Sequence, residues 1–172
     1  ALKPRHMKEF ARWRDWERTI GNPHPYTLLD ASELKSFVNS DRYLGGLHNT
    51  ANGHIHPLNL CVGEAAAAVS CGARVFEQTR AIEIIPGDNP VVKTEHGSIT
   101  AKQIVLAGNA YMGKLIPKLS LRVLPSASSV IATEPLSEAL ATKLLPGDVA
   151  VCDPRTALDY FRLSADRRML FG

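Results

Sequence analysis

The sequence lacks the features that define several classes of protein. Its three cysteines, Cys61, Cys71 and Cys152, are an odd number without C-x-x-C spacing, so neither a disulfide framework nor a cysteine-based zinc site is expected. We predict free, buried thiols in a reducing compartment. No apolar run approaches the roughly 20 residues that cross a bilayer, so no membrane span is expected. The N-terminus lacks the basic and apolar regions of a signal peptide, which favours a cytoplasmic protein.

Charge of one sign is also scarce. The 172 residues have a formal net charge of only +3, and aromatic residues make up 6%. The densest basic cluster, at residues 3–14, is interleaved with acidic residues in its second half, which is typical of a solvated helix face. No basic stripe with interleaved aromatics occurs elsewhere, so we expect no nucleic-acid partner.

Two motifs that would assign a chemistry are missing. None of the 12 glycines lies in G-x-G-x-x-G, the turn that binds a dinucleotide pyrophosphate at a helix N-terminus. The G-x-S-x-G motif of serine hydrolases is absent too, and no cysteine has a motif partner. The sequence therefore excludes an intact dinucleotide-binding loop and offers no nucleophile.

What is present is an ordinary globular composition around one organised central stretch. Apolar residues are 45% of the chain, and its length suffices for a full core. The patterns predict a helix at 57–71, a strand at 74–85, hairpin strands at 91–95 and 98–101 around His96–Gly97, and a strand at 104–107. The last strand is apolar throughout, as in a parallel sheet buried on both faces. It stops at Ala107-Gly108-Asn109, where backbone can approach a ligand closely.

The flanking segments favour antiparallel structure. They predict helices at 5–20, at about 32–38 with Asp30 or Ser32 as the cap, and at 137–144, and strands at 26–29, 122–133, 149–152, 158–163 and 169–171. The fold class is therefore mixed, between α/β and α+β. We expect two interleaved subdomains, one formed by residues 57–117 and the other by residues 1–56 and 118–172.

The histidines before the central helix allow three interpretations. His54 and His56 point to the same side if their segment is extended. A metal site would need a third ligand, for which His48 is the nearby candidate. A polar lining for a small-molecule pocket and a purely structural role are the other two, and we expect no metal.

Several segments together resemble one known family. They are residues 53–60 (GHIHPLNL), 71–81 (CGARVFEQTRA) and 97–111 (GSITAKQIVLAGNAY), and their order and spacing are similar to the middle of FAD-dependent amine oxidases. This is the group of D-amino acid oxidase, glycine oxidase and sarcosine oxidase, in particular its gamma-glutamylputrescine oxidoreductase branch. The tail 159–172 (DYFRLSADRRMLFG) resembles a strand pair of that branch.

The resemblance implies FAD as cofactor and a specific division of the chain. Residues 57–117 would belong to a Rossmann-like FAD-binding subdomain, on its adenosine side, and residues 1–56 and 118–172 to an antiparallel-sheet substrate subdomain. The residues implied to contact the cofactor are Thr79, Arg80, Ala81, Ala107, Gly108, Asn109 and Tyr111. Ala81 departs from the valine that is usual there, which preserves a backbone contact and loses side-chain packing.

The resemblance also implies a reaction and a substrate wall. An amine or amino acid, such as gamma-glutamylputrescine, would lose a hydride to the flavin from the carbon beside its nitrogen, and the resulting imine would hydrolyse. Tyr160 and Arg162 alternate on a strand and share a face, and an arginine can bind a carboxylate through two hydrogen bonds. With His54 and His56 they are the candidate substrate-binding residues. A surface strand with a solvated arginine is the alternative.

Because the phosphate-binding loop is missing, we expect this chain to be the central piece of a larger enzyme, without activity of its own. Two other functions stay open. One is a non-catalytic α/β binding domain, which predicts a complete closed core. The other is a fragment of a nicotinamide-dependent dehydrogenase. If the chain is a fragment, residues 104–107 should lack neighbouring strands and expose apolar surface.

Overall fold

The structure of the chain is a computed structural model, which describes residues 1–24 and 26–172. The chain folds into two compact units. Unit 1 comprises Ala1–Pro57 and Ser128–Gly172, and unit 2 comprises Leu58–Ala127. Helices and antiparallel strands are mixed, as predicted, and every strand pair between described residues is antiparallel. None of the described helices has the length and apolarity that a membrane span requires.

The elements of unit 1 are α1 (Pro4–Thr19), β1 (Thr27–Asp30), α2 (Ala31–Leu34), β2 (Gly45–His48), β6 (Ile131–Ala132), α5 (Glu138–Leu144), β7 (Val151–Cys152), β8 (Tyr160–Leu163) and β9 (Met169–Phe171). Strands β1 and β2 pair with each other, and the others form a sheet in the order β6-β9-β8-β7. Helix α1 begins with Pro4, whose missing N–H costs nothing in a first turn, and buries His6 and Phe10.

The core of unit 1 joins segments from both ends of the sequence. Val38 and Tyr43, which follow α2, pack with Ala141 and Leu145 of the α5 region and with Leu163 of β8. Burial of these apolar side chains therefore holds together the two segments of unit 1, which are separated in the sequence by all of unit 2.

Helix α2 is short and begins with a complete capping box. The Asp30 carboxylate accepts hydrogen bonds from the backbone N–H groups of Ser32 and Glu33, both at 2.8 Å, and the Glu33 carboxylate accepts one from the Asp30 N–H at 2.8 Å. Of the two predicted caps, Asp30 is therefore the correct one. The helix ends at Leu34 instead of near residue 38.

Unit 2 contains α3 (Pro57–Ser70, with Pro57 at the boundary), the strands β3 (Ala81–Ile85), β4 (Val91–Thr94) and β5 (Gly97–Thr100), a 3-10 helix at Asn109–Met112 and α4 (Pro117–Ser120). The strands form an antiparallel sheet in the order β3-β4-β5. All of residues 58–127 are described, and none of them is buried. Unit 2 therefore has no closed core of its own.

Three strand predictions in or next to unit 2 are wrong in extent. The strand expected at 74–85 begins only at Ala81, and of the stretch 122–133 only Ile131–Ala132 is a strand. The hairpin register pairs Thr94 with Gly97, so its turn is Glu95–His96 and lies one residue earlier than expected.

The parallel strand expected at 104–107 is absent. The segment has no strand assignment, and Val105 is 88% exposed. A strand of this kind is stabilised by hydrogen bonds to neighbours on both sides, and no strand of unit 2 lies beside it. The prediction that the thiols are buried is also wrong, because Cys61, Cys71 and Cys152 are free but exposed. Cys61 lies on α3, which has no buried residue, so its thiol has no core to enter.

Truncating a core side chain tests the packing of unit 1. Leu145 is 2% exposed in the core, whereas Leu140 of α5 is 42% exposed. Leu145→Ala should lower the free energy of unfolding by about 2–5 kcal/mol, because it removes buried methyl groups and leaves a cavity. Urea denaturation measures the change, with Leu140→Ala in α5, the helix that ends just before Leu145, as the control. Equal losses in the two variants would contradict this core.

The cap of α2 predicts a dependence of stability on acid. Hydrogen bonds from the Glu33 N–H and the Ser32 hydroxyl lower the pKa of Asp30. The contribution of the carboxylate is therefore complete above about pH 4, the usual range in the unfolded chain, and is lost as pH falls through the folded value. The stability difference between wild type and Asp30→Asn, whose amide does not titrate, should shrink on acidification. A difference independent of pH between neutral and acidic solution would refute this linkage.

Candidate functional site

A cavity of about 540 Å³ lies within unit 1. One part of its wall is apolar and comes from α1, β1, α2 and the segment after α2: Phe10, Leu29, Leu34, Phe37, Val38 and Tyr43. Another part is polar and comes from the end of β2 and the loop that follows it: His48, Asn49, Thr50, Asn52 and His54. An apolar chamber with a few convergent polar groups is the usual form of a small-molecule site.

Two glycines of β2 allow this wall to form. A Cβ at Gly45 would overlap the carbonyl oxygen of Leu29 and lie 2.7 Å from the Met7 methyl group, and a Cβ at Gly46 would lie 2.9 Å from Leu34 Cδ1. The sequence did not predict β2, because glycine is depleted in strands and Gly45–Gly46 indicates a loop. Close packing of α1 and α2 against this strand explains the two glycines.

The polar loop has its own local order. The Asn49 side-chain oxygen accepts hydrogen bonds from the N–H groups of Ala51 at 2.8 Å and Asn52 at 3.0 Å, which is an Asx turn. The His48 ring packs against Phe37 with 4.5 Å between ring centroids. The loop that leads to His54 is thus anchored at its start.

The structure brings two of the predicted substrate residues together. Arg162 Nη1 lies 3.1 Å from His54 Nδ1, and Arg162 Nη2 donates to the Ile55 carbonyl at 3.0 Å. Tyr160 is placed differently, since its ring lies where a Gly172 side chain would be, and the two backbones exchange hydrogen bonds of 2.8 and 2.9 Å. His56 lies just before α3. No three metal-ligating side chains cluster anywhere in the described part of the chain.

An ionic cluster around one buried carboxylate lies in the loop before the strand that carries Tyr160 and Arg162. The Asp153 side chain is 1% exposed and accepts from Arg155 Nε at 2.7 Å, and Arg155 also pairs with Asp159. The Asp153 N–H donates to the Asp159 carbonyl at 2.9 Å, which closes the loop between β7 and β8. The sequence indicated only a connection at residues 153–155. The spacing of Asp153 and Arg155, two residues apart, was the one feature of the sequence that could have indicated this ion pair.

The buried Asp153 carboxylate also affects its neighbours. Burial, and secondly the negative charge of Asp153, raise the pKa of Tyr43. Cys152 is exposed as a residue, but partial desolvation of its thiol, and secondly the charge of Asp153, raise the pKa of that thiol. Both groups therefore stay protonated to higher pH than usual, and Cys152 is poorly suited to act as a thiolate nucleophile.

The candidate cofactor residues lie in unit 2, in two segments. Ala81 opens β3 and pairs with Thr94, while the Thr79 hydroxyl donates to the Glu77 carbonyl at 2.8 Å. The other segment, Ala107, Gly108, Asn109 and Tyr111, leads into the 3-10 helix. Tyr111 is 94% exposed. No hydrogen bond described in unit 2 joins the two segments.

The comparison with protein families gives a match along almost the whole chain. The model of the DAO family, described as FAD dependent oxidoreductase, matches residues 2–172. The chain belongs to this family. Gamma-glutamylputrescine oxidoreductase of Escherichia coli is 46% identical over 159 residues, which are 92% of this chain and 37% of that protein. The probable oxidoreductase OrdL of Haemophilus influenzae is 42% identical over 151 residues, which are 84% of this chain and 35% of that protein. The chain therefore spans little more than a third of these relatives.

Solved structures show the same fold. Glycine oxidase from Geobacillus kaustophilus aligns with a TM-score of 0.74 at 20% identity, covering 99% of this chain and 45% of that one. L-Proline dehydrogenase from P. horikoshii aligns with a TM-score of 0.77 at 18% identity, covering 99% and 46%. These likenesses confirm the predicted fold class.

FAD is the cofactor of this family, and two features of unit 2 bear on the expectation that this unit contacts its adenosine side. The outer edge of β3 has no strand beside it within residues 58–127, so backbone groups near Ala81 remain available to an adenine. A Cβ at Gly108 would lie 2.7 Å from Met112 Cγ, so a side chain there would require the Met112 side chain to move. The sequence holds no glycine-rich loop for the pyrophosphate.

A glycine substitution tests the cavity wall. Gly45→Ala should lower the free energy of unfolding by roughly 1–3 kcal/mol, because the new methyl group overlaps the Leu29 carbonyl and Met7. Gly53→Ala is a matched control, since Gly53 also lines the cavity but has open space around it. Thermal denaturation compares them. Equal melting temperatures for Gly45→Ala and Gly53→Ala would refute the close packing around β2.

Proposed function

We propose that the protein containing this chain is an FAD-dependent oxidoreductase acting on the CH–NH or CH–NH₂ group of an amine or amino acid, with gamma-glutamylputrescine as its substrate. The observation that carries this proposal is the likeness to the E. coli gamma-glutamylputrescine oxidoreductase along nearly all of the chain. The cavity of unit 1 supports it, since it combines apolar walls with a polar loop and is large enough for a small molecule.

We assign the two sides of the reaction to the two parts of the chain. Residues 1–56 and 118–172 form the substrate side, which contains the cavity. Residues 57–117 form the adenosine side, where Thr79, Arg80 and Ala81 and the segment Ala107, Gly108, Asn109 and Tyr111 would hold FAD. The Thr79 hydroxyl already donates to the Glu77 carbonyl, so backbone groups of this segment would make most of the contact.

FAD, when bound, supplies the acceptor for the hydride that leaves the carbon beside the substrate nitrogen. The chain's own residues bind and orient the substrate. Apolar side chains such as Phe37 and Tyr43 exclude water from one side of the cavity, and His54 supplies a polar contact there. The other candidate substrate residues, His56, Tyr160 and Arg162, are not among the described residues that line the cavity, and Arg162 contacts His54 instead. No nucleophile is required, which agrees with the raised pKa of Cys152.

We further propose that these 172 residues are inactive by themselves. The pyrophosphate loop is missing from the sequence, and none of residues 58–127 is buried. A non-catalytic domain with a closed core would bury part of unit 2, and the 88% exposure of Val105 argues against that alternative.

The experiment compares the isolated chain with the full-length protein. The full-length protein should purify with bound flavin, and anaerobic gamma-glutamylputrescine should bleach the flavin absorbance. Glycine and sarcosine serve as comparison substrates, and peroxide formation in air identifies dioxygen as the electron acceptor. The isolated chain, incubated with FAD and desalted, should be colourless. Flavin that resists bleaching by every amine would refute the activity, and a yellow isolated chain would refute its inactivity.

A further inference from the structure

The contact between Arg162 and His54 determines where the imidazole proton lies. A guanidinium group has only donors and stays protonated in proteins. The 3.1 Å contact from Arg162 Nη1 therefore requires a lone pair on His54 Nδ1. A neutral imidazole carries one proton, so His54 carries it on Nε2.

The arginine that imposes this tautomer is itself well fixed. Arg162 lies on β8 and pairs with Leu170 of β9. Its Nη1 also donates to the Leu163 carbonyl at 3.3 Å, and its Nη2 donates to the Ile55 carbonyl at 3.0 Å. Leu163 belongs to the buried core, so one of these hydrogen bonds ties the guanidinium to the backbone of a core residue.

Of these two side chains, His54 is the one in the cavity wall. It lines the cavity together with Gly53 and Asn52, whereas Arg162 is not among the described residues that line it. A ligand in the cavity would therefore contact His54, with Arg162 bound to that histidine from outside the cavity lining.

We propose that Arg162 is a positioning residue that holds His54 as the Nε2–H tautomer, and that this N–H donates to a carbonyl or carboxylate oxygen of the substrate. The ligand group is an oxygen acceptor, because an ammonium group has only donors and cannot accept from Nε2. The proposed hydrogen bond from His54 to the substrate rests on the proposed function, whereas the proposed tautomer of His54 does not. This assignment changes the role of Arg162 from direct carboxylate binding to action through His54.

Nitrogen NMR of the 172-residue chain tests the tautomer. Among the six histidines, the signal lost in His54→Gln identifies this ring, observed at a pH where the imidazole is neutral. Wild type should show a protonated Nε2 and an unprotonated Nδ1. Arg162→Met should give a mixture of tautomers, and Arg162→Lys, which keeps a donor, should restore part of the preference. Arg167→Met, in the turn after β8, is the control and should leave the ring unchanged. A proton on Nδ1 in wild type, or no change in Arg162→Met, overturns the proposal.

Kinetics of the full-length flavoprotein test the donor. Putrescine is an amine without the oxygen atoms of gamma-glutamylputrescine, so the two substrates form a matched pair. His54→Phe should raise KM for gamma-glutamylputrescine by about 10-fold, the effect of one lost hydrogen bond to a charged acceptor, and should change kcat less. KM for putrescine should stay nearly constant, and His54→Gln, which keeps a donor, should recover much of the loss. Equal effects on both amines overturn the donor role. A wild-type enzyme that oxidises neither amine overturns both the proposed function and the hydrogen bond from His54 to the substrate. The NMR experiment still tests the tautomer of His54 in that case.

Discussion

Burial of one apolar cluster holds unit 1 together. Val38 and Tyr43 come from the first part of the sequence, and Ala141, Leu145 and Leu163 come from the last. Because unit 2 lies between these segments in the chain, the cluster closes a long loop, and the loss of chain entropy must be offset by the apolar area that is buried. The cavity lies beside this cluster and shares Val38 and Tyr43 with it, so the shape of the site depends on the same packing.

Polar contacts then adjust the site on that scaffold. The Asp153–Arg155–Asp159 cluster closes the loop before β8, and Arg162 on the same strand fixes the end of the loop that carries His54. An ion pair around a carboxylate as buried as Asp153 adds little net stability, because desolvation offsets the attraction, but it restricts the loop to one geometry. The network thus contributes mainly order to the substrate side.

The sequence predicted the elements whose patterns are local. The helices that begin at Pro4 and Pro57 and the one capped by Ser137 were predicted nearly to their ends, because the proline or cap, the apolar spacing and the stop residues lie within each segment. The mixed fold class followed from them. Contact of His54 with Arg162 spans 108 residues, and no local pattern encodes it, although both residues were candidates. Strand β2 was missed because its glycines reflect tertiary packing, and residues 104–107 were wrongly predicted because apolarity indicates burial but not a partner strand.

Unit 2 differs from unit 1 in burial, because its apolar residues form no buried core. Its sequence has the apolar helix and apolar strand pattern of an interior, yet none of its residues is buried. The chain covers little more than a third of its curated relatives. We propose that the remainder of a longer protein covers the apolar surface of unit 2. The most direct test is amide hydrogen exchange of residues 58–127, compared between the isolated chain and the flavin-loaded full-length protein. We predict slow exchange of α3 and of residues 104–107 only in the full-length protein, and protection of the unit 1 core amides in both samples. Equal protection of α3 and residues 104–107 in the two samples would contradict it.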